Sequence, residues 1–583
     1  MPEKIIPAIK WTVYNFDYFL VIFACFFYLL YRNRPQNFPV ALKKISDTLS
    51  GIFKKLTETK TAYLLIIFSL INFAVRFLIV MPVKPIALLE NIIAPHYLNL
   101  ADSMFSGEGF TTHVIWNLFL LPPKVVLPDF FRMPLYPFFI FLAYKIFGYS
   151  FFSAQIVNVM AAGILPLIAY FFSYVLTKSK KISVLLLLFI SFNQLIFQWM
   201  VLTFPEIIYA CFSILTLIFI YKTKGQTSFN SIFVGVFWAL AYLSRAEALY
   251  IFFPVILFFY FFKENKKALL TKIILTAIGF LAIAAPYLSR NYVLTGRPFF
   301  SEFDKILMVS YIGHDRLIES PKTEYANIYD IWRQKPLLSL TIAAKNIFSG
   351  IMAVPDKLLS SYPIFIFMLI GLYFTKDRKK YLFIFFTVIL TFIITVLSVY
   401  FEPRYLIFLI IIFYLFACIG IFHLYDNKFK NNPVAASVLT LYLALFIFLN
   451  GFIGVVKGTL PYIPHSFYKR FDANAYYYDL NDIYSYIKDN SKKNDAVMAS
   501  RRPYGIYYFT KQPTIIFPYA TEKEIQSLMK KYNVRWLLWQ GQPEKVDDKF
   551  WKFFLPDEIP SNITPVLKNS AGDLFYVDYY TEQ

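Results

Sequence analysis

Between Met81 and Ser150 the chain breaks its apolar pattern for longer than anywhere else in its first half, and there it gathers Glu90, His96, Asp102, Asp129 and a lone arginine, Arg132. Carboxylates and imidazoles move protons at neutral pH, and the planar fork of arginine suits phosphate and stays charged beside lipid. Further on, single charges stand in short gaps between apolar runs: Glu206 after Pro205, Arg245 with Glu247, Arg290, and Glu402 with Arg404. His96, His113 and His314 lack the spacing of a zinc hydrolase such as HExxH. Cys25, Cys211 and Cys418 all fall inside apolar runs, where a cysteine is a small core residue, and no disulfide framework is legible.

The elements that must position these residues are membrane helices. The 583 residues are 58% hydrophobic and only 16% charged, against roughly a quarter charged in a soluble protein. The net charge of +21 does not indicate nucleic acid, because the basic residues cluster between apolar runs as cytoplasmic loops require. About 20 apolar residues cross a bilayer as a helix, and this rule predicts about twelve spans: 12–31, 62–81, 151–175, 182–202, 206–221, 231–244, 248–262, 273–289, 357–375, 381–400, 405–424 and 433–455. Lysine and arginine clusters fill every second connection: 32–61, 178–181, 222–224, 263–272, 376–380 and 428–430. That alternation places all six on the cytoplasmic side. The segment 82–150, the turns at 203–206, 244–247 and 401–404, the loop 290–356 and the tail then face outward. Pro134 to Phe147 is short for a span and reads as a helix lying in the interface. Residues 1–61 form an extra N-terminal anchor and basic loop, and 62–456 the membrane domain.

Residues 457–583 are polar and read as a small extracytoplasmic α/β domain. Helices are expected at 480–489 and 522–532, and strands at 496–499, 505–509, 514–517, 534–539 and 574–579.

Taken in order, FRMPLYP at Phe131–Pro137, TFPEIIY at Thr203–Tyr209, GVFWALAYLSRAEALY at Gly235–Tyr250, PYLSRNYVLTGRPF at Pro286–Phe299 and EPRYLIF at Glu402–Phe408 resemble the GT-C superfamily of membrane glycosyltransferases. The likeness is to its protein O-mannosyltransferase and lipid A aminoarabinose transferase branch. It implies inverting transfer of a hexose or pentose from a polyprenyl-phosphate donor to an extracytoplasmic acceptor. By that resemblance Arg132 matches a basic residue before a proline, and Arg245 a basic residue at the outer end of a span. Arg290 matches the arginine of an RNY stretch, Arg404 that of an RY pair, and Glu206 an acid near the lipid phosphate or a divalent metal. His314 is a further candidate for donor phosphate or acceptor, and Glu247 and Glu402 are secondary.

The family pattern also carries an acid three or four residues before a tyrosine followed by Ala and a G-x-G/F run. Tyr97, Ala101 and Gly107–Phe110 fit, but the acidic position reads Ile93 and the next Ala94. Glu90, one helical turn earlier, is the favoured replacement base, with Asp129, His96 and Asp102 as alternatives. A carboxylate is preferred to His96 because an anionic donor would hold imidazole protonated.

The expected protein is thus multi-pass in the plasma or inner membrane, with lipid, a lipid-linked sugar and an outer acceptor as partners and no nucleic acid. A divalent metal is the one cofactor the pattern leaves open. A transporter or lipid flippase is the rival, and it would call for polar residues at the membrane midplane. A catalytically altered scaffold is the third reading.

Overall fold

The computed structural model describes residues 40–81, 83, 94–116, 122–223, 229–261, 266–302, 328–375, 378–397, 402–459, 473–499, 502–518, 520–540 and 562–578. Apolar runs in lipid must satisfy their own backbone groups, which favours helices, and the described chain is mostly helical. In order come α1 (Val40–Glu58), α2 (Thr61–Val80), α3 (Ala94–Phe105), α4 (Leu135–Phe147), α5 (Phe151–Thr177), α6 (Lys180–Ser191), α7 (Gln194–Val201), α8 (Glu206–Lys222), α9 (Asn230–Ser244), α10 (Glu247–Phe261) and α11 (Lys266–Thr295). Then follow α12 (Ile328–Gln334), α13 (Pro336–Ala353), α14 (Tyr362–Phe374), α15 (Arg378–Leu397), α16 (Leu409–Leu424) and α17 (Pro433–Thr459).

The expected spans fall on these helices, except 12–31, which lies outside the described residues. Among the described residues, 6 helices, or 7 with the bent pair α6–α7, are long and apolar enough to cross a membrane. Several others, such as α4, α9, α10 and α14, are apolar but short. The segment 290–356, expected as a loop, contains α12 and α13, and Pro336–Leu358 is itself long and apolar enough to cross.

The expected span 182–202 is broken by 45° between α6 and α7. Asn193 caps α7, its side-chain oxygen accepting from Leu195 N at 3.0 Å and Ile196 N at 3.2 Å. Arg76 of α2, fully buried, serves the broken end: Nη2 donates to Ser191 O at 2.8 Å, Nε to Asn72 Oδ1 at 2.7 Å, and the guanidinium lies over the Phe197 ring. A charge that is costly in lipid is thereby matched to a carbonyl that the break leaves without its helical partner.

Helices also meet backbone to backbone at glycines. A Cβ on Gly371 of α14 would overlap the Phe416 carbonyl of α16, and one on Gly420 would overlap that of Phe367. Gly235 and Gly279 do the same for α9 and α11. Small residues at such crossings permit the close packing that drives helix association in lipid.

The basic connections collect at one end of this bundle. Lys180 Nζ donates to Thr59 O, Phe53 stacks near Phe422 at 6.3 Å and Phe374 on His423 at 4.0 Å. Lys272 Nζ donates to Thr223 O at 2.6 Å, and Lys380 lies 5.8 Å from the Tyr221 ring. These contacts join all six basic connections that the alternation rule put on one side.

After α17 the chain forms α18 (Ala473–Asn490), β4 (Ala496–Ala499), α19 (Pro503–Thr510), β5 (Thr514–Ile516), α20 (Glu522–Lys531), β6 (Val534–Trp539), β7 (Ile563–Asn569) and β8 (Gly572–Val577). Three short strands precede them: β1 (Thr111–Thr112), β2 (Val114–Ile115) and β3 (Leu127–Pro128). The six-stranded sheet has the order β2-β5-β4-β6-β8-β7. It is parallel from β2 through β6, and β8 pairs antiparallel with β6 and β7. Its first strand therefore comes from the segment after α3, in register Val114↔Thr514. The run at 505–509, expected as a strand, is helical: Pro503 occupies the first turn, where its fixed φ suits a helix. Tyr504 and Tyr507, one turn apart, both pack on Val114.

Candidate active site

The segment after β3 is held by short-range geometry. β1 and β3 pair antiparallel, Thr111↔Pro128, and Asp129 N donates to Phe110 O at 3.2 Å. The Asp129 carboxylate then folds back on its own chain, as aspartate does in turns: Oδ1 accepts from Phe131 N at 3.1 Å and Arg132 N at 2.7 Å. Oδ2 meets His96 Nε2 of α3 at 2.7 Å. Arg132 Nε donates to His96 Nδ1 at 3.3 Å. A guanidinium only donates, so Nδ1 must offer its lone pair, the proton sits on Nε2, and the imidazole is neutral.

Burial lowers His96 from its ordinary value, and Arg132 adds to this, together exceeding the opposite pull of Asp129. Burial works to raise the Asp129 carboxyl, but His96 and the backbone and charge of Arg132 outweigh it and hold the group below the usual carboxylate value. The anion is thus fixed in place, while His96 has no spare lone pair with which to act as a base. In this arrangement the imidazole is neutral, because a guanidinium faces its ring nitrogen and takes up its lone pair.

Arg132 is half-buried, its guanidinium 4.1 Å from the Phe131 ring centre and 5.1 Å from that of Tyr97. Among the described residues its Nε bond to His96 is its one side-chain hydrogen bond, and no ion pair takes the fork. Arg290 is different. Its Nη2 donates to Phe110 O at 3.0 Å and Asp129 O at 3.1 Å, and its Nη1 to Asn291 Oδ1 at 2.9 Å. Arg290, expected at donor phosphate, is placed where its Nη2 clamps the backbone that carries Asp129.

A second cluster forms where α8, α9 and α16 begin or end. Glu206, the first residue of α8, is 1% exposed, and an acid is favourable at a helix N-terminus. Its Oε1 lies 2.6 Å from Arg245 Nη1 and 3.8 Å from Arg404 Nε. Arg245 Nε also pairs with Glu247, and Arg404 Nε with Glu402. Aromatic rings floor the arginines: Tyr405 lies under both, at 5.0 and 5.3 Å, and Phe204 under Arg404 at 5.2 Å. Burial and the neighbouring Glu206 raise Glu402 above the usual carboxylate value, against the pull of Arg404. Glu206 Oε2 and Trp199 Nε1 are buried without a hydrogen-bond partner among the described residues, and such atoms commonly mark a place for a ligand or water.

Tyr97 joins the two clusters. It lies under Arg132, and the charges of Glu206, Arg245 and Arg404 also reach it. Arginines from four separate stretches therefore gather at the end of the bundle opposite the basic connections. Among the described residues no three His, Cys, Asp or Glu side chains converge as metal ligands, and the Glu206 carboxylate faces guanidinium groups.

Glu90 and His314 lie outside the described residues. Asp102 pairs with Lys511 of the tail at 2.5 Å, so it fastens the tail to α3. The tail also contributes what the sequence pattern did not single out. Tyr504 of α19 stacks on His96, ring centres 4.1 Å apart, and Asn99 Nδ2 donates to Tyr504 O at 3.0 Å. Trp116 and Glu302 were likewise missed, and with Asp129 and Tyr504 they line one recess. No motif marks them, because their partners are hundreds of residues away or on loops.

Residues 131–289 match the family model described as dolichyl-phosphate-mannose-protein mannosyltransferase. Among solved structures, the chain is similar to ArnT from Cupriavidus metallidurans bound to undecaprenyl phosphate, with TM-score 0.54 and 10% identity over 89% of this chain and 98% of that one. It is also similar to the Archaeoglobus fulgidus oligosaccharyltransferase in complex with Zn and sulfate, with TM-score 0.51 and 12% identity over 80% of this chain and 68% of that one. No curated protein matches the sequence. The likeness to the GT-C superfamily read from the sequence is thus shown, and the fold is one shared with its glycosyltransferases.

Proposed function

We propose that this membrane protein of glycosyltransferase-like fold transfers a sugar from a polyprenyl-phosphate donor to an acceptor outside the cytoplasm. The observation that carries the reading is the pairing of Arg245 and Arg404 across Glu206 and the Tyr405 ring, with Arg132 over the neighbouring Tyr97. A phosphate leaving group needs preorganised cations more than it needs covalent help. The basic connections gathered at the opposite end support an outward-facing site, in a multi-pass protein whose tail also lies outside.

In the proposed reaction the acceptor hydroxyl attacks the anomeric carbon. The bond from that carbon to the phosphate oxygen breaks, and the phosphate keeps the electron pair under the arginines. The hydroxyl proton passes to a carboxylate, for which Asp129 and Glu90 are the two candidates. Asp129 is fixed beside Arg132 by three N–H donors. A carboxyl held this low accepts the proton late, once the sugar–phosphate bond has largely broken. Glu206 keeps Arg245 and Arg404 from repelling one another before the donor arrives.

The test uses the full chain in nanodiscs with a panel of undecaprenyl-phosphate-linked hexoses and pentoses, scoring release of undecaprenyl phosphate. Arg245→Ala and Arg404→Ala should each suppress release, and Asp129→Asn set against Glu90→Gln identifies the base. A wild-type protein that neither binds undecaprenyl phosphate nor cleaves any of these donors would refute the reading. The break at α6–α7 with buried Arg76 is the feature that favours a transporter instead. Flipping of labelled undecaprenyl phosphate in vesicles, without cleavage of a linked sugar, would establish that alternative.

A further inference from the structure

The helix α1 carries two neighbouring stripes whose residues recur at three- and four-residue spacing, the period that keeps side chains on one face. The first, Leu42, Ser46, Leu49, Phe53 and Leu56, is buried or half-buried. It seats on the bundle: Phe53 stacks near Phe422 of α16, and Phe53 and Leu56 pack against the cluster of Leu64, Leu65, Tyr170, Val184 and Leu187. The second is Ile45, Thr48, Ile52 and Lys55, with Lys44 one turn before Thr48, and all five are exposed. Ile45 and Ile52 are 49% and 51% exposed, so this stripe sets apolar surface between two cations.

The acids of α1 favour its other two lysines. Asp47 and Glu58 follow Lys43 and Lys54 by four residues, a turn of only about 40° around the axis, and follow Lys44 and Lys55 by three, about 60°. Lys54 Nζ lies 3.8 Å from Glu58, while Lys44 and Lys55 have no ion pair among the described residues.

We infer that the stripe of Lys44, Ile45, Thr48, Ile52 and Lys55 binds anionic phospholipid in the leaflet at the basic end of the bundle. The isoleucines would enter the boundary between headgroups and acyl chains, and the lysine stems would lie along it with their ammonium groups on phosphate. Continuity of the chain supplies the occupant. Only Thr59 and Lys60 separate α1 from α2, whose stretch Tyr63–Val80 is long and apolar enough to cross a membrane. Tyr63, Ile66, Ile67 and Leu70 at the start of that stretch are exposed, as lipid-facing residues are.

The C-terminal end of α1 therefore stands at the bilayer surface, and a basic juxtamembrane segment there attracts anionic headgroups. A free anion would engage the lysines and leave the isoleucines unused. Since the first stripe seats on α16 and beside α2, lipid held on the second would fasten α1 to the bundle. The surface lies at the opposite end from Arg132, Arg245 and Arg404, and its use requires none of the sugar chemistry proposed above.

The experiment titrates the delipidated full chain in detergent with dioleoylphosphatidylglycerol and, in parallel, dioleoylphosphatidylcholine, reading the tightest site by native mass spectrometry. Wild type should prefer phosphatidylglycerol. The double variant Lys44→Gln/Lys55→Gln should weaken that binding roughly 30-fold, the worth of two lysines at an anionic leaflet, and Lys44→Arg/Lys55→Arg should keep it. Ile45→Ser/Ile52→Ser should weaken it at least ~3-fold, and Lys43→Gln/Lys54→Gln should stay within about threefold of wild type. Phosphatidylglycerol should also raise the Tm of wild type more than that of Lys44→Gln/Lys55→Gln. Equal losses for the two glutamine pairs would reduce the effect to net charge and overturn the inference, as would equal binding of the two lipids. Full displacement of the lipid by inorganic phosphate would assign the stripe to a free anion. A wild-type dimer that Ile45→Ser/Ile52→Ser dissociates would assign it to a second copy. Either result overturns the inference.

Discussion

Replacing Glu206 by glutamine tests the charge arrangement on which the site depends. The carboxylate is 1% exposed and lies 2.6 Å from Arg245 and 3.8 Å from Arg404. At an effective dielectric near 20 those separations correspond to roughly 6 and 4 kcal/mol of gross attraction, most of it cancelled by the cost of desolvating three charges. Removing one partner of a buried pair costs about 3–5 kcal/mol, and glutamine, which keeps the acceptor atom, should fall at about 3. The variant should therefore lose about 3 kcal/mol relative to wild type in SDS-titration unfolding from mixed micelles. A phosphate that bridges the two arginines would take over the lost role. Undecaprenyl phosphate at a hundredfold excess over its Kd returns about 2.7 kcal/mol by mass action, and more in the variant than in wild type because the arginines there lack their shared anion. A stability loss below about 1 kcal/mol, which is the worth of an exposed pair, would refute the buried-bridge reasoning. Equal stabilisation of both proteins by the lipid would refute the claim that phosphate shares the arginines of Glu206.

Asp129→Asn should lower turnover of a cleavable lipid-linked sugar by at least ~100-fold, the low end of what a positioned base contributes, with undecaprenyl phosphate binding retained; unchanged turnover would assign the base to Glu90. Acidification should weaken the fold through His96. Its folded pKa lies below the ordinary 6.5, so the contribution is fully present above 6.5 and is lost as pH falls through the lowered folded value. Unfolding measured between pH 7 and 5 should show this slope, and His96→Gln should flatten it. Gly420→Val should abolish folded protein in size-exclusion chromatography, because a side chain there meets the Phe367 carbonyl; Gly51→Val, with nothing within 4 Å, should behave as wild type.

The parts of this molecule that follow from one-dimensional pattern were legible, and the parts that follow from three-dimensional meeting were not. Lysines in alternate connections are a local signal, and the structure joins those connections at one end. Arg245, Glu206 and Arg404 stand at the ends of apolar runs, where a charge is conspicuous. Arg290 is equally conspicuous, yet its Nη2 is taken by backbone carbonyls and its Nη1 by the Asn291 side chain, a use that residue type cannot reveal. The break at Asn193 had a visible sign, a capping residue inside an apolar stretch, but span length outweighed it. The tail helix Pro503–Thr510 carries the aromatic residues typical of strands, and it is helical because Pro503 starts it and its tyrosines seat on Val114 of β2. The stack of Tyr504 on His96 could not be anticipated, since nothing near either residue announces the other.

Parallel pairing of Val114 with Thr514 makes a strand from early in the chain wait for a partner about 400 residues later, a closure whose entropy must be met before its contacts reward it. On a ribosome that emits about 5–20 residues per second, the segment that carries His96 would be made well before the residue that covers it. The pair of His96 and Asp129 would then stay uncovered until the tail folds onto it, and a chain truncated after α17 would present His96 without the Tyr504 stack.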